Sequence, residues 1–221
     1  IRDKIEKDKN PVSWMIDRLD LSLDLDKKEY NERLNLLQSK IENLSYTMYR
    51  KKIPMILVFE GWDASGKGGA IKRLTFPMDP RGFEVVPISA PDETEMEYHY
   101  LWRFWKDIPK TGHTAIFDRS WYGRVMVERV EGFAREYEWM RAYEEINQFE
   151  KHLKSYNAVI LKFFIHVDKD EQLQRFEKRK NDKDKSHKLT EEDWRNREKW
   201  EDYKNAIGEM IEKTDTLYAP W

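Results

Sequence analysis

The sequence has no cysteine among its 221 residues, which excludes disulfides, thiol nucleophiles and thiolate metal sites and suits a reducing compartment. It also lacks any apolar run long enough to span a bilayer, and its opening IRDKIEKDK has no apolar stretch of the kind a signal peptide carries. A cytoplasmic location with no membrane partner is therefore the expectation. Net charge is nearly absent too, at -2. So balanced a surface predicts no nucleic acid partner, and any polyanion must be drawn by a local basic cluster. The histidines His99, His113, His152, His166 and His187 show no metal-binding spacing, and no serine sits in a nucleophile elbow. What remains is a strongly charged chain, 37% Asp, Glu, Lys and Arg, long enough for one α/β domain with a sizeable core.

The informative stretch is Pro54 to Thr75, PMILVFEGWDASGKGGAIKRLT. Met55 to Phe59 form a short apolar run, Gly61 to Lys67 a glycine-bounded turn, and Ala70 to Leu74 resume in helix-forming residues. This is a strand, a phosphate loop and the start of a helix. The Walker A pattern G-x-x-x-x-G-K is met by Gly61, Gly66 and Lys67. Backbone N–H groups of Ala64, Ser65, Gly66, Gly68 and Gly69 can close around phosphate oxygens, Lys67 adds a point charge, and the helix points its positive end at the same anion. One part is missing: the Ser or Thr that should follow the lysine and hold Mg²⁺ is Gly68. A metal-dependent site must then find its ligands elsewhere.

Along the rest of the chain, residues 1 to 26 carry only scattered anchors such as Trp14, Ile16 and Leu19. From Lys28, apolar residues at Tyr30, Leu34, Leu37, Ile41, Leu44 and Met48 predict a helix with one apolar stripe, read first as packed on the core and second as an interface. The helix after the loop should stop near Pro77 and Pro80. Phe83 to Ile88 predicts a strand near an edge, because of Pro87. Tyr98, Leu101, Trp102 and Trp105 predict an aromatic-faced helix turned to the core. Ala115 to Phe117 is a third apolar run that delivers Asp118 at its end. Residues from about 120 to 156 read as helical with a bend at Gly132, and Ala158 to Val167 as a strand. Asp168 with Glu171 opens a charged helix, residues 181 to 186 break it, and Thr190 with Asp193 starts another in capping-box fashion. Alternating strands and helices argue an α/β fold with a mostly parallel sheet and helices on both faces. The two charged helices read as a lid over the carboxyl edge of the sheet.

Two carboxylates lie where the missing hydroxyl ligand would be replaced: Asp63 inside the loop and Asp118 at the end of a neighbouring strand, both at the sheet edge where α/β folds bind ligands. With phosphate oxygens they make a Mg²⁺ site, since Mg²⁺ prefers hard oxygen donors and keeps several waters. Lys67, Lys72, Arg73, Arg119, Arg124 and Arg129 fall in or after phosphate-proximal turns, and Arg175 and Arg179 share one face of the lid. Arginine forks suit phosphoryl oxygens. No general base is apparent, and a phosphate acceptor, already ionised near neutral pH, needs none. The tryptophans are mainly packing residues, with Trp62 and Trp121 best placed to stack a base.

The segments FEGWDASGKGGAIKR, FDRSWYGRVMVERV, DEQLQRFEKRKND and KLTEEDWRNREKW resemble the polyphosphate kinase 2 family of P-loop phosphotransferases. The double glycine after the lysine and the string D-R-S-W-Y are specific to it. The resemblance implies a P-loop kinase-like three-layer sandwich with a helical lid, and Mg²⁺-dependent transfer of a phosphoryl group between inorganic polyphosphate and a nucleoside mono- or diphosphate. Residue by residue, it makes Asp63 and Asp118 the metal-binding catalytic aspartates, Lys67 the loop lysine, Arg119 the arginine after the second aspartate and Arg179 a lid arginine. It puts Lys72 and Arg73 along the polyphosphate channel and aligns Lys188 with a lid lysine, although Ser186-His187 stands where the family usually has an aromatic residue. LDLSLDLDKKEYNERL resembles members that phosphorylate AMP and often carry two such domains in tandem, which favours AMP to ADP over ADP to ATP. The expected organisation is a single domain over 1–221, with a helical extension at 1–52, the loop-bearing core at 53–168 and lid and C-terminal helices at 169–213. The chain opens without methionine and stops at Ala219-Pro220-Trp221, so it is read as a fragment lacking a fifth strand. A homo-oligomer or a tandem second domain is compatible with this. An ATP-dependent kinase on the same scaffold and a non-catalytic polyanion-binding module are the alternative readings.

Overall fold

In the central strand β1 (Met55–Gly61), side chains alternate between two buried faces, so the sheet must be covered on both sides. Ile56 and Val58 join a large core with Ala115, Phe117 and Ile160. Leu57 and Phe59 join a smaller one with Ile71 and Ile116. The computed structural model describes residues 16–182 and 190–221. Within them β1 is flanked by β3 (Thr114–Asp118) and β4 (Val159–Ile165), with β2 (Phe83–Pro87) outside β3, in the order β2-β3-β1-β4. Every pairing is parallel, as the strand–helix alternation predicts. Beyond β4, the Lys162 N–H donates to the Pro220 carbonyl at 3.0 Å, so the last residues run beside that strand.

Helix α1 (Lys27–Arg50) precedes β1, and α2 (Lys67–Thr75) follows the loop. Between β2 and β3 lie α3 (Glu93–Met96) and α4 (Trp102–Lys106); a 3₁₀ turn (Trp121–Val125) and α5 (Val127–Val130) follow β3, and α6 (Glu136–Ser155) leads into β4. After β4 come α7 (Lys169–Lys180), α8 (Glu191–Glu198) and α9 (Trp200–Thr214). α6 and α9 cover the larger core, α6 through Ala142, Ile146, Phe149 and Leu153 at helical spacing. α2 covers the other face. The bend expected at Gly132 is present, with φ +74°, and Asp168 and Thr190 cap α7 and α8 as expected.

Two expectations are corrected. The stripe on α1 does not pack on the core: Leu37 and Leu44 are more than half exposed and only Met48 is buried. The inward face is Leu34, Gln38, Ile41, Ser45 and Met48, a stripe turned partly away from the apolar one, because the Gln38 amide donates to the Arg73 carbonyl at 2.9 Å and seats α1 on α2. The aromatic helix is likewise broken into α3 and α4, and its buried residues are Leu101 and Phe104, while Tyr98 and Trp105 are about half exposed. Tyr98 instead stacks on Trp102 at 4.3 Å, and the Lys106 ammonium lies 4.2 Å from the same indole. Trp14 lies outside the described residues.

Strand alternation also turns a charge inward. Lys162 pairs with Val58 in register, on the larger core's side, and is buried. Its ammonium donates to Glu150 Oε2 at 2.9 Å, Tyr122 Oη at 2.8 Å and the Thr214 carbonyl at 2.7 Å. Glu150 Oε1 accepts from Tyr122 Oη and Trp121 Nε1. Burial pushes the Glu150 carboxyl up and the Lys162 ammonium down, each opposed by the other's charge. The network ties the turn after β3 to α6, β4 and the end of α9.

The loop between β1 and α2 has its own backbone demands. Gly61 has φ +147°, and a Cβ there would lie 2.3 Å from the Ile165 carbonyl oxygen. Gly66 has φ +110°, and Ala64 adopts φ +59° without being glycine. Gly68, in contrast, has open space where a Cβ would stand.

Glu150→Ala should cost about 3–5 kcal/mol in urea unfolding, because it leaves the Lys162 ammonium buried without its counter-charge; a loss below about 1 kcal/mol would show that the pair behaves like an exposed one. Gly61→Ala should cost about 1–3 kcal/mol through strain and collision with β4, whereas Gly68→Ala should be neutral or gain up to about 1 kcal/mol. Thermal melts of both variants check this, and equal destabilisation would refute the assigned backbone roles.

Candidate active site

β1, β3 and the C-terminal helices meet at the carboxyl edge of the sheet. β1 ends in the loop carrying Asp63 and Lys67; β3 ends in Asp118, paired in register with Phe59. The next residue, Arg119, has φ +66°, and its N–H donates to the Phe59 carbonyl at 3.0 Å. This left-handed turn sends the guanidinium back across the sheet edge, where it donates to Asp63 Oδ1 at 3.2 Å. Asn196 of α8 donates to Asp63 Oδ2 at 2.9 Å, and Gln172 of α7 to the Asp63 carbonyl at 3.1 Å. Asp63 is thus the meeting point of the loop, the β3 turn and both lid helices.

Lys67 opens α2 and folds over its own loop, donating to the Gly61 carbonyl at 2.7 Å and the Trp62 carbonyl at 3.1 Å. Burial lowers its pKa, while Asp63, Glu60 and Asp118 favour the charged form and Arg119 opposes it. Burial also works against the Arg119 charge, but Asp63, Glu60, Glu192 and Asp118 outweigh it and raise its pKa. Four carboxylates therefore surround two cations at this edge. Ser65 Oγ is buried in the loop and has no hydrogen-bond partner among the described residues.

The other predicted residues divide by their place in the fold. Arg175 lies in the site, but its guanidinium donates to the Ala64 carbonyl at 3.0 Å and the Ser65 carbonyl at 2.7 Å, with Nε on Glu171. It clamps the loop backbone. Arg179 lies one turn further along α7, near enough to Asp193 to favour that carboxylate's charge. Lys72 and Arg73 stand on the exposed side of α2 beyond the loop. A Cβ at Gly69 would come within 3.1 Å of the Arg73 guanidinium, so this glycine lets Arg73 lie close along the helix. Arg124 faces elsewhere, paired with Glu128 at 3.1 Å with its guanidinium 4.5 Å from the Tyr100 ring centroid. Arg129 also points away, bonded to Glu209, Tyr143 and the face of Trp139. Lys188 and Ser186-His187 lie outside the described residues.

Both tryptophans proposed for base stacking are buried. Trp62 is buried face to face against Trp200 at 3.8 Å and donates to His166 Nδ1 at 2.9 Å. Trp121 is 1% exposed and bonded to Glu150. Both rings are spent on packing, since an indole between apolar neighbours gains more from burial than from display. Trp62 thereby fastens the loop to α9.

Sequence reasoning passed over Glu60, Gln172 and Asn196. Glu60 is 3% exposed and accepts from Ser120 Oγ at 2.7 Å. Burial raises its carboxyl to about 7. Its signal was visible, a lone carboxylate interrupting an apolar strand just before the loop glycine. Gln172 and Asn196 had none, because their partners lie 109 and 133 residues away. Glu60, Asp63, Arg119, Gln172, Glu192 and Asn196 line a small cavity of about 80 Å³.

The donor set fits a hard cation. Among the described residues no cluster of three or more His, Cys, Asp or Glu side chains could enclose a metal ion. Two carboxylates beside a phosphate loop suit Mg²⁺, which is usually held by one or two carboxylates together with substrate phosphates and water. Each Asp63 oxygen also has more than one acceptor direction, so the bonds from Arg119 and Asn196 leave room for a further partner.

The chain is 48% identical over 207 residues to a polyphosphate:AMP phosphotransferase of Pseudomonas aeruginosa, an alignment covering 94% of this chain and 42% of that protein. It is 41% identical over 192 residues to an ADP-polyphosphate phosphotransferase of Rhizobium meliloti, covering 87% of this chain and 68% of that one. It therefore spans less than half the length of the polyphosphate:AMP phosphotransferases it matches. A crystal structure of polyphosphate kinase 2 from Arthrobacter aurescens superposes with a TM-score of 0.85 at 30% identity, over 92% of this chain and 77% of that one. A Pseudomonas aeruginosa crystal structure of a candidate polyphosphate kinase 2 reaches 0.92 at 47% identity, over 96% of this chain and 46% of that one. The polyphosphate kinase 2 family profile matches residues 24–221, taking in the loop, both aspartates and the helices that close on them, and the chain belongs to that family.

Proposed function

We propose that this domain transfers a phosphoryl group between inorganic polyphosphate and a nucleotide, with AMP to ADP favoured over ADP to ATP. The observation that carries this reading is the convergence of Lys67, Asp63, Asp118 and Arg119 at the end of β1 and β3. An N–H-lined loop and two cations there face two carboxylates. The names of the relatives, polyphosphate:AMP and ADP-polyphosphate phosphotransferases, supply the substrate classes.

In this reaction the bond between the terminal phosphorus of the polymer and its bridging oxygen breaks, and an oxygen of the AMP phosphate bonds to that phosphorus. The polymer leaves one phosphate shorter. Loop N–H groups and the α2 N-terminus hold phosphoryl oxygens, and Lys67 exchanges its loop carbonyls for the transferred group. Arg119 balances the negative charge spread over the equatorial oxygens in a loose transition state. The acceptor oxygen is ionised already, so no residue has to remove a proton. Asp63 and Asp118 would hold Mg²⁺, which when bound neutralises charge on the phosphate chain. Lys72 and Arg73, on the open side of α2, extend the basic surface away from the loop for a polymer longer than the site. Arg175 and Gln172 keep the loop closed around the phosphates from behind.

Incubating the protein with Mg²⁺, AMP and long-chain polyphosphate, without ATP, should yield ADP. Asp63→Asn and Asp118→Asn should each lower kcat by about a hundredfold or more. Asp118→Asn should keep its melting temperature near wild type, whereas Asp63→Asn, which removes one of the two oxygens that accept from Arg119 and Asn196, should also melt earlier. Product formation only when ATP replaces polyphosphate would favour an ATP-dependent kinase. Anion binding without turnover, unaltered in Asp118→Asn, would favour a binding module.

A further inference from the structure

Glu60 is a buried carboxyl at the edge of the site that touches neither loop phosphate nor metal in the mechanism above. Its side chain runs from the end of β1 to the turn after β3, where Oε1 accepts from Ser120 Oγ at 2.7 Å. Ser120 is equally buried, 3% exposed, and its Oγ in turn accepts from the Tyr122 N–H at 3.3 Å, capping the 3₁₀ turn. The residue between Asp118 and Ser120 is Arg119, held at φ +66°. A non-glycine residue in this region is strained and persists only when its surroundings over-determine it. The Arg119 N–H bond to Phe59 fixes one side of that residue, and the Glu60–Ser120 bond fixes the other. Both anchors belong to β1, the strand that also carries Asp63 into the loop.

We propose that Glu60 is a positioning residue. Through Ser120 it locks Arg119 into its left-handed turn, so that the guanidinium meets Asp63 and the transferred phosphoryl group in one fixed geometry. The role rests on the phosphotransfer reading for its kinetic consequence but not for its structural one. An acceptor oxygen at Glu60 is what matters, so Gln, which keeps that oxygen, should substitute where Ala cannot. The hydroxyl at Ser120 is the other half of the device, so Thr should substitute there and Ala should not.

Four variants test this: Glu60→Ala, Glu60→Gln, Ser120→Ala and the double variant Glu60→Ala/Ser120→Ala, in the whole chain and well below their melting temperatures. Glu60→Ala and Ser120→Ala should lower kcat about 10–100-fold with KM for AMP nearly unchanged, and the double variant should be no worse than either. Glu60→Gln should stay within about fivefold of wild type. Amide hydrogen exchange over residues 118–123, which needs no turnover, should quicken about tenfold in both Ala variants and not in Glu60→Gln. If Glu60→Ala exchanges like wild type, if its kinetic loss lies in KM, if the single losses multiply, or if Glu60→Gln is as impaired as Glu60→Ala, the positioning role is wrong. A wild-type protein that transfers no phosphoryl group overturns the proposed function instead, and the exchange comparison then decides the positioning role alone.

Discussion

The site depends on one carboxylate accepting from two directions at once. Asp63 Oδ1 takes the Arg119 guanidinium and Oδ2 takes the Asn196 amide, while its backbone carbonyl takes Gln172. These three donors come from the β3 turn, from α8 and from α7. A charge-assisted hydrogen bond contributes about 1.5–3 kcal/mol net, more than a neutral one. A single residue in the loop, through its side chain and its carbonyl, therefore fixes the relative placement of segments that are far apart in sequence.

That fixation is needed because the loop and the turn are both held off the ordinary backbone wells. Ala64 and Arg119 adopt left-handed conformations without being glycine, and Gly61 sits where a Cβ would collide with β4. Their combined cost is offset by contacts around them. Arg175 takes the carbonyls that the bent loop turns outward, Trp62 stacks on Trp200, and Ser120 bridges to Glu60. Behind them, the buried Lys162–Glu150 pair anchors Trp121 and Tyr122, so the β3 turn is held from its apolar side as well. Such a network is costly if one member is lost, because the remaining polar groups are left buried and unpaired.

Much of this was legible in the sequence where a local pattern carried it. β1, the loop, α2 and Asp118 were readable from an apolar run, glycine spacing and a strand that ends in a carboxylate. The caps at Asp168 and Thr190 were readable from their spacing to Glu171 and Asp193. The face of α1 was not, because the contact that seats it on α2 is a polar one, from the Gln38 amide to the Arg73 carbonyl, which apolar periodicity does not register. Position in the loop and on the lid helix points Trp62 and Arg175 at ligands; in the fold Trp62 stacks on Trp200 and Arg175 donates to the Ala64 and Ser65 carbonyls. Gln172 and Asn196 could not be found at all, since a contact across more than a hundred residues leaves no periodic trace.

Gly68 shows how the two kinds of information combine. The absent hydroxyl could have meant that the position is too crowded for any side chain. It is not, for a Cβ there meets open space. Crowding therefore does not explain the glycine, and in the proposed site the metal-holding duty would fall to carboxylates that the loop and β3 supply separately. Such an arrangement demands that Asp63 and Asp118 be brought into register by the sheet rather than by the loop alone. The pairing of Phe59 with Asp118 meets this demand within the sheet, and the bond that Ser120 donates to Glu60 meets it just beyond, in the turn after β3. A ligand set split between two strands is only as well ordered as the link between them. That places the buried Glu60–Ser120 contact among the determinants of the site.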